Sequence, residues 1–211
     1  TNPESYIREV CKKINEVALN DFEKAKLAHD ITALLIKYDA ASFWAGKIPN
    51  QDYYSVLKTG LAVCEGYATV YKQFCDELKI PCHKVHGYAR GVGTSLETEK
   101  NIYDSNHAWN IVELYGDYYN VDLTWDDAEI GNYDYFNRTD ADLAQTHIRK
   151  SLSVDLPACG GTLYRGLEKS SGDGDITEET QPLYSDGLEL YYEKLCDRIE
   201  ALGCGKASYS D

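Results

Sequence analysis

The sequence predicts an α+β fold in which a helix that begins at a cysteine packs against an antiparallel β-sheet. Two observations carry that expectation. Upstream of Pro81 the apolar residues recur at helical spacing, whereas residues 82–91 and the runs His107–Leu114 and Asp117–Trp125 alternate as strands do. The two later runs flank Tyr115-Gly116, a two-residue hairpin turn with glycine in its second position, which makes them antiparallel neighbours.

The elements follow in order. Asn2-Pro3-Glu4 opens a helix: Asn caps it, Pro takes its first position and Glu sits in its first turn. Tyr6, Val10, Ile14 and Val17 then share one face. Asp21 is placed to cap a second helix, whose apolar face runs through Leu27, Ile31, Leu34, Leu35 and Tyr38. Residues 39–63 carry Gly46, Pro49, Asn50, Asp52 and Gly60 and read mostly as loop; a loop that long inside a compact domain is usually functional. From Cys64 the residues Tyr67, Val70, Tyr71, Phe74 and Leu78 mark a third helix, closed by Pro81. Gly91-Val92-Gly93 leads into a polar loop. After Trp125 the chain turns acidic, and Thr139 or Asp140 is positioned to cap a short helix running through His147. Residues 169–181 read as a solvated linker, and a last helix is expected over residues 186–202, before Gly203. The chain therefore divides into a domain of residues 1–165 with N-terminal helices, and residues 166–211, an acidic linker with a C-terminal helix.

Composition narrows the function classes. Thirty-five acidic against 21 basic residues leave a net charge of -14, which argues against nucleic acid and anionic membranes as partners, since both reward basic patches. The longest apolar run, Ile31–Ile36, is far too short to span a bilayer. The chain starts at Thr1 and contains no Met, so it is expected to be processed or trimmed, with any targeting segment out of view. Seven cysteines are an odd number, so at least one is free or paired with another chain; the other six fit disulfides in an exported protein or buried thiols in the cytosol. The compartment stays open, with a bacterial extracellular or cell-surface setting slightly favoured. No Cys-x-x-Cys pair or His-rich set points to zinc. Asp126, Asp127, Glu129, Asp134, Asp140 and Asp142 lack the alternating pattern of a calcium loop, so they read as a solvated acidic face and no metal is expected. Eighteen tyrosines against four phenylalanines suit a polar-aromatic cleft, or simply amphipathic packing. Asn137-Arg138-Thr139 fits a glycosylation sequon, relevant only in a chain exported from a eukaryote.

The chemistry concentrates at Cys64. A thiol at a helix N-terminus faces the positive end of the macrodipole and unpaired N–H groups, which favour the thiolate and can also receive an oxyanion. Gly66 is expected to leave space beside the sulfur for a substrate backbone. A buried structural thiol is the plain alternative for a lone cysteine. A nucleophilic thiol needs a base, and the base needs an orienting group. With Tyr115-Gly116 as the turn, Leu114 pairs with Asp117, Trp109 faces Asp122 and His107 faces Thr124. Strand alternation then puts His107, Trp109, Ile111, Asn120 and Asp122 on one face, and Ala108, Val112, Leu114, Tyr119, Val121 and Leu123 on an apolar one. His107 and Asp122 become diagonal neighbours, close enough for a carboxylate to hold an imidazole N–H.

The segments Cys64-Glu65-Gly66-Tyr67-Ala68, His107-Ala108-Trp109 and Asp122-Leu123-Thr124 resemble, in content and order, the motifs of the transglutaminase-like superfamily, specifically its bacterial cysteine-peptidase-like members. The resemblance is strongest over residues 50–127. It implies a papain/transglutaminase-like core and a catalytic triad, with Cys64 as nucleophile, His107 as base and then acid, and Asp122 as orienter. The implied activity is that of a thiol-dependent amide hydrolase, peptidase- or amidase-like, working through an acyl-enzyme on Cys64 with no cofactor and with a peptide or protein as substrate. Transglutaminase-type transfer to an amine and a non-catalytic binding or scaffold module are the alternatives. For the substrate and the second oxyanion donor, Gln51, Tyr54 and Trp109 are the candidates; Trp44, the only tryptophan upstream of Cys64, does not match the family's position.

Overall fold

The computed structural model describes residues 2–90, 105–127 and 133–166. Helix α1 (Pro3–Val17) starts as the sequence predicts, with the Asn2 side chain accepting the Glu4 N–H at 2.8 Å. It buries Tyr6, Ile7, Val10, Cys11 and Ile14. Helix α2 (Asp21–Leu35) is capped by Asn20 rather than by Asp21: Asn20 Oδ1 accepts the Glu23 N–H at 2.9 Å, and the Glu23 carboxylate accepts the Leu19 N–H at 2.7 Å. This reciprocal pair satisfies two amide donors at once, which a cap one residue later would not. Helix α2 is buried on almost every side and carries Lys26, His29 and Asp30 inside the protein.

Residues 39–63 are not mostly loop. Strand β1 (Lys37–Tyr38) pairs in parallel with β2 (Leu61–Ala62), and between them lie helices α3 (Ala40–Ala45) and α4 (Tyr53–Thr59). Asp39 and Asp52 cap these helices by accepting the Ser42 and Ser55 N–H groups at 3.0 and 2.9 Å. Gly46 (φ 64°) and Gly60 (φ 67°) end them in the left-handed conformation that glycine adopts without strain. Gly46, Asp52 and Gly60, which read as loop punctuation, are caps of two short helices.

Helix α5 (Cys64–Glu77) begins where predicted and ends at Leu78; Lys79 takes a positive φ of 63°, and Pro81 stands outside the helix. Strands β3 (Cys82–Ala89), β4 (His107–Leu114), β5 (Asp117–Val121) and β6 (His147–Arg149) form one antiparallel sheet in the order β5-β4-β3-β6. Tyr115 and Gly116 both have positive φ, as a two-residue hairpin requires, and Leu114 lies opposite Asp117. The last pair of the β4–β5 ladder is Asn110–Val121. Beyond it the predicted strand gives way: Asp122 caps a one-turn helix, α6 (Leu123–Asp126), so the expected pairing of His107 with Thr124 is not formed.

The two faces separate as the alternation predicts. Val112, Leu114, Tyr119, Val121 and Leu123 join α1, α2 and α5 in the main core, while Trp109 and Ile111 pack with Val85 and Cys159 in a small core on the other face. Gly87 lets Trp109 lie across β3: a Cβ there would sit 2.4 Å from the indole and 2.3 Å from the Ile148 carbonyl oxygen. Helix α7 (Asp140–Leu143) has a capping box between Thr139 and Asp142 and stops before His147, which opens β6 instead of ending a helix.

The acidic residues downstream of Trp125 have structural partners: Asp126 meets His29, Asp140 meets Arg149 and Asn120, and Asp142 meets Arg165. Glu129 lies outside the described residues. Asn137 is fully buried, which removes it as a glycosylation acceptor. Cys11, Cys64, Cys75, Cys82 and Cys159 are free thiols, all but Cys64 buried. Cys196, Cys204, the Gly91-Val92-Gly93 loop, and the linker and C-terminal helix expected beyond residue 166 lie outside the described residues. Among the described residues, no helix is long and apolar enough to cross a membrane.

Candidate active site

Cys64 is the first residue of α5, half-buried, with Val63 in the capping position. Among the α-helices of the described residues, α5 alone begins without a side-chain cap. A cap is worth roughly 1 kcal/mol. The protein forgoes it at the one helix start that carries a thiol, which leaves the first amides of α5 without a side-chain acceptor. Gly66 does not open space for a substrate. It lies buried against β2 and α4, and a Cβ there would come within 2.6 Å of Ala62 Cβ and Gln51 Oε1.

His107 opens β4 beside the Cys64 thiol, and its Nε2 lies 2.6 Å from Asp122 Oδ2. Burial alone would lower the imidazole, but the charge and hydrogen bond of Asp122, joined by the Cys64 thiol, lift it to about 10. Burial likewise pushes Asp122 up, and His107 together with His147 outweighs that and holds the carboxyl at about 2. Asp122 is fully buried and engaged at both oxygens: Oδ1 accepts the Trp125 N–H at 3.2 Å as the cap of α6, and Oδ2 faces two imidazoles. The break in the strand at Val121 is thus what aims this carboxylate. A β-residue would have left one oxygen to chance.

His147 is the residue that sequence reasoning missed, because it was assigned to a helix. Its Nε2 lies 2.9 Å from Asp122 Oδ2 and its Nδ1 2.8 Å from Thr146 Oγ1. His107, Asp122 and His147 present ligand-capable atoms within 4.8 Å of one another, the one such group among the described residues. Toward an ionised Asp122, each imidazole can present an N–H to the shared oxygen. Trp109 and Trp125 wall the pair in, with ring centroids 6.1 and 5.7 Å from His107.

The three candidates for substrate or oxyanion contacts separate by what their polar atoms already do. Trp109 is buried and its indole N–H donates to Asn120 Oδ1 at 3.1 Å, so it serves as a wall and has no donor left to offer. Tyr54 is on the exposed side of α4 under the Lys58 ammonium. Gln51 is anchored next to Cys64: its Oε1 accepts the Val63 N–H at 2.9 Å, and one Nε2 hydrogen goes to the Pro49 carbonyl. Its second Nε2 hydrogen remains. Sequence reasoning also passed over Lys84 and His86, which pair with Glu65 and, led by the His86 hydrogen bond, hold that carboxyl at about 2. They offset a negative charge adjacent to Cys64.

The comparison with protein families now bears on this geometry. Residues 8–123 match the model of the transglutaminase-like superfamily, more than half of the chain. The chain belongs to the transglutaminase-like superfamily. Within it, the chain is similar to the kyphoscoliosis peptidases of human (29% identical over 124 residues, 57% of this chain and 18% of that protein) and mouse (35% over 71 residues, 33% and 10%). The matches thus span less than a fifth of the length of these relatives. Among solved structures, a transglutaminase (TGase) matches with a TM-score of 0.43 and 19% identity, covering 58% of this chain and 31% of its own. A candidate cysteine protease from Cytophaga hutchinsonii matches with a TM-score of 0.42 and 15% identity, covering 76% and 55%. The expected α+β architecture, a cysteine-bearing helix packed against an antiparallel sheet, is the one described above.

Proposed function

We propose that the protein is a thiol-dependent hydrolase of peptide or protein amides, with Cys64, His107 and Asp122 as its catalytic triad. The observation that carries this reading is the buried, doubly anchored Asp122 holding His107 at 2.6 Å, beside a thiol on an uncapped helix start. In the reaction His107 Nδ1 takes the Cys64 proton, and the sulfur attacks the amide carbonyl carbon. The oxyanion meets the Cys64 N–H and the remaining N–H of Gln51. The intermediate collapses to a thioester as the C–N bond breaks, and His107 delivers its proton to the leaving amine. Water then attacks the thioester, His107 takes its proton, and the acid leaves with Cys64 regenerated.

Iodoacetamide at about pH 6 tests the thiol directly. Cys64 is expected to alkylate at least tenfold faster than an ordinary thiol, whose thiolate is scarce at that pH. Equal rates would remove the catalytic reading. Trapping acyl-Cys64 from a peptide library in the presence of a labelled primary amine separates hydrolysis from acyl transfer: release of free acid without incorporation of the amine is the expected outcome.

A further inference from the structure

Asp122 Oδ2 has two imidazole partners, and the second is not needed to orient the first. Ionised, the carboxylate can only accept, so both His107 Nε2 and His147 Nε2 carry hydrogens. His107 therefore has its Nδ1 free for the thiol. On His147, Nδ1 lies 2.8 Å from the Thr146 hydroxyl, which also reaches the Leu143 carbonyl at 3.3 Å. The loop from α7 to β6 thus holds His147 at both ring nitrogens, and its ring is packed between Trp109 and Trp125 at 5.0 and 4.7 Å.

We propose that His147 is a positioning residue of this active site, whose second N–H on Asp122 Oδ2 both locks the carboxylate and limits how tightly it holds the His107 imidazolium. The inference rests on the hydrolase reading above, in which His107 must release its proton to the leaving amine. A carboxylate with a single buried cationic partner retains that proton; one shared with a neutral donor retains it less. The charged and titratable groups around His107 are few: Cys64 from α5, Asp122, His147 from β6, and beyond Asp122 the Asp126 carboxyl and the Tyr135 hydroxyl, each of which acts on Asp122 or feels its charge. Among the described residues, His147 is the one side chain besides His107 that bonds the Asp122 carboxylate.

The test reads wild type, His147→Leu and His147→Gln in parallel. Glutamine can place an N–H near the histidine Nε2 position, whereas leucine fills the space without a donor. The Cys64 peptide is followed by mass spectrometry during iodoacetamide alkylation across pH, and the histidine ring nitrogens by NMR. The His107 inflection is expected to rise by about one pH unit, a tenfold gain in proton affinity, in His147→Leu and to return towards wild type in His147→Gln. In wild type, Nε2 of His147 should be protonated and Nδ1 not. An unmoved or lowered inflection in His147→Leu overturns the inference, as does a wild-type His147 lacking the Nε2 hydrogen. The NMR readout decides even if the leucine variant does not fold. A wild-type Cys64 no more reactive than an ordinary thiol would instead sink the hydrolase reading, and is seen before any variant is made.

Discussion

Gly66→Ala adds one carbon in the first turn of α5 and should be felt twice. That Cβ would sit 2.6 Å from Ala62 Cβ, 2.6 Å from Gln51 Oε1 and 2.9 Å from Val56 Cγ2. Ordinary contacts lie at about 3.5–4.0 Å, so all three neighbours must yield. None is the free end of a flexible side chain, for Ala62 belongs to β2, Val56 is in the core, and Gln51 is tied to the Val63 N–H. Overpacking of this kind costs about 1–3 kcal/mol, and replacing a helical glycine by alanine returns roughly 0.5–1 kcal/mol. The expected net loss is about 1–2 kcal/mol, a fall of some 2–8 °C in Tm for a protein of this size. Displacing Gln51 also releases Val63, next to Cys64, so Cys64 alkylation at about pH 6 should slow as well. Urea unfolding and alkylation on the same sample measure both effects. A midpoint within about 0.5 kcal/mol of wild type, with unchanged alkylation, would refute the packing described around α5 and with it the case for Gln51.

Other outcomes follow from the same geometry. Cys64→Ala should abolish acyl-enzyme formation while leaving the urea midpoint within about 0.5 kcal/mol of wild type, because the half-buried thiol fills no core position. Asp122→Asn keeps the shape but removes the charge, so burial should then pull His107 down from about 10 to below its ordinary value, and alkylation at low pH should drop at least tenfold; retained reactivity would show that the carboxylate does not support the imidazolium. His29 gives a pH signature. Burial lowers it, but its bonds to Asp126 and Asp30 at 3.0 Å lift it to about 9. A raised histidine contributes stability that is fully present below about pH 6.5 and is lost as pH climbs through 9. The lift from 6.5 to about 9 bounds the loss between pH 6 and 10 at about 3 kcal/mol. His29→Gln should flatten that slope, and an equally steep slope in the variant would refute the assignment.

How much was legible in the sequence depended on whether one residue had one job. Asn2 and the Tyr115-Gly116 turn act alone and were read correctly, and the alternation of β4 sorted Trp109 from Val112 because period-2 burial has little ambiguity. Asp39, Asp52, Gly46 and Gly60 were misread, since the residues that make turns also cap helices, and α3 and α4 are too short for periodicity to arbitrate. Asp122 was placed near His107 for a partly wrong reason: the strand was expected to continue, and its carboxylate reaches His107 because it turns to cap α6. His147 had no signal of its own. Its partner is 25 residues earlier, and only the pairing of β6 with β3 brings the two together.

That turn at Asp122 sets how the candidate site can be cut out of the chain. Helix α6 is a single turn, too short to hold itself. Its last residue, Asp126, is clasped by His29 at 3.0 Å, and His29 shares Asp30 with Lys26 and Tyr133. The Asp122 carboxylate is therefore measured off against α2, through a contact between residues 97 apart. A fragment that starts after Leu35 would contain every motif residue and still lack the ruler that spaces them.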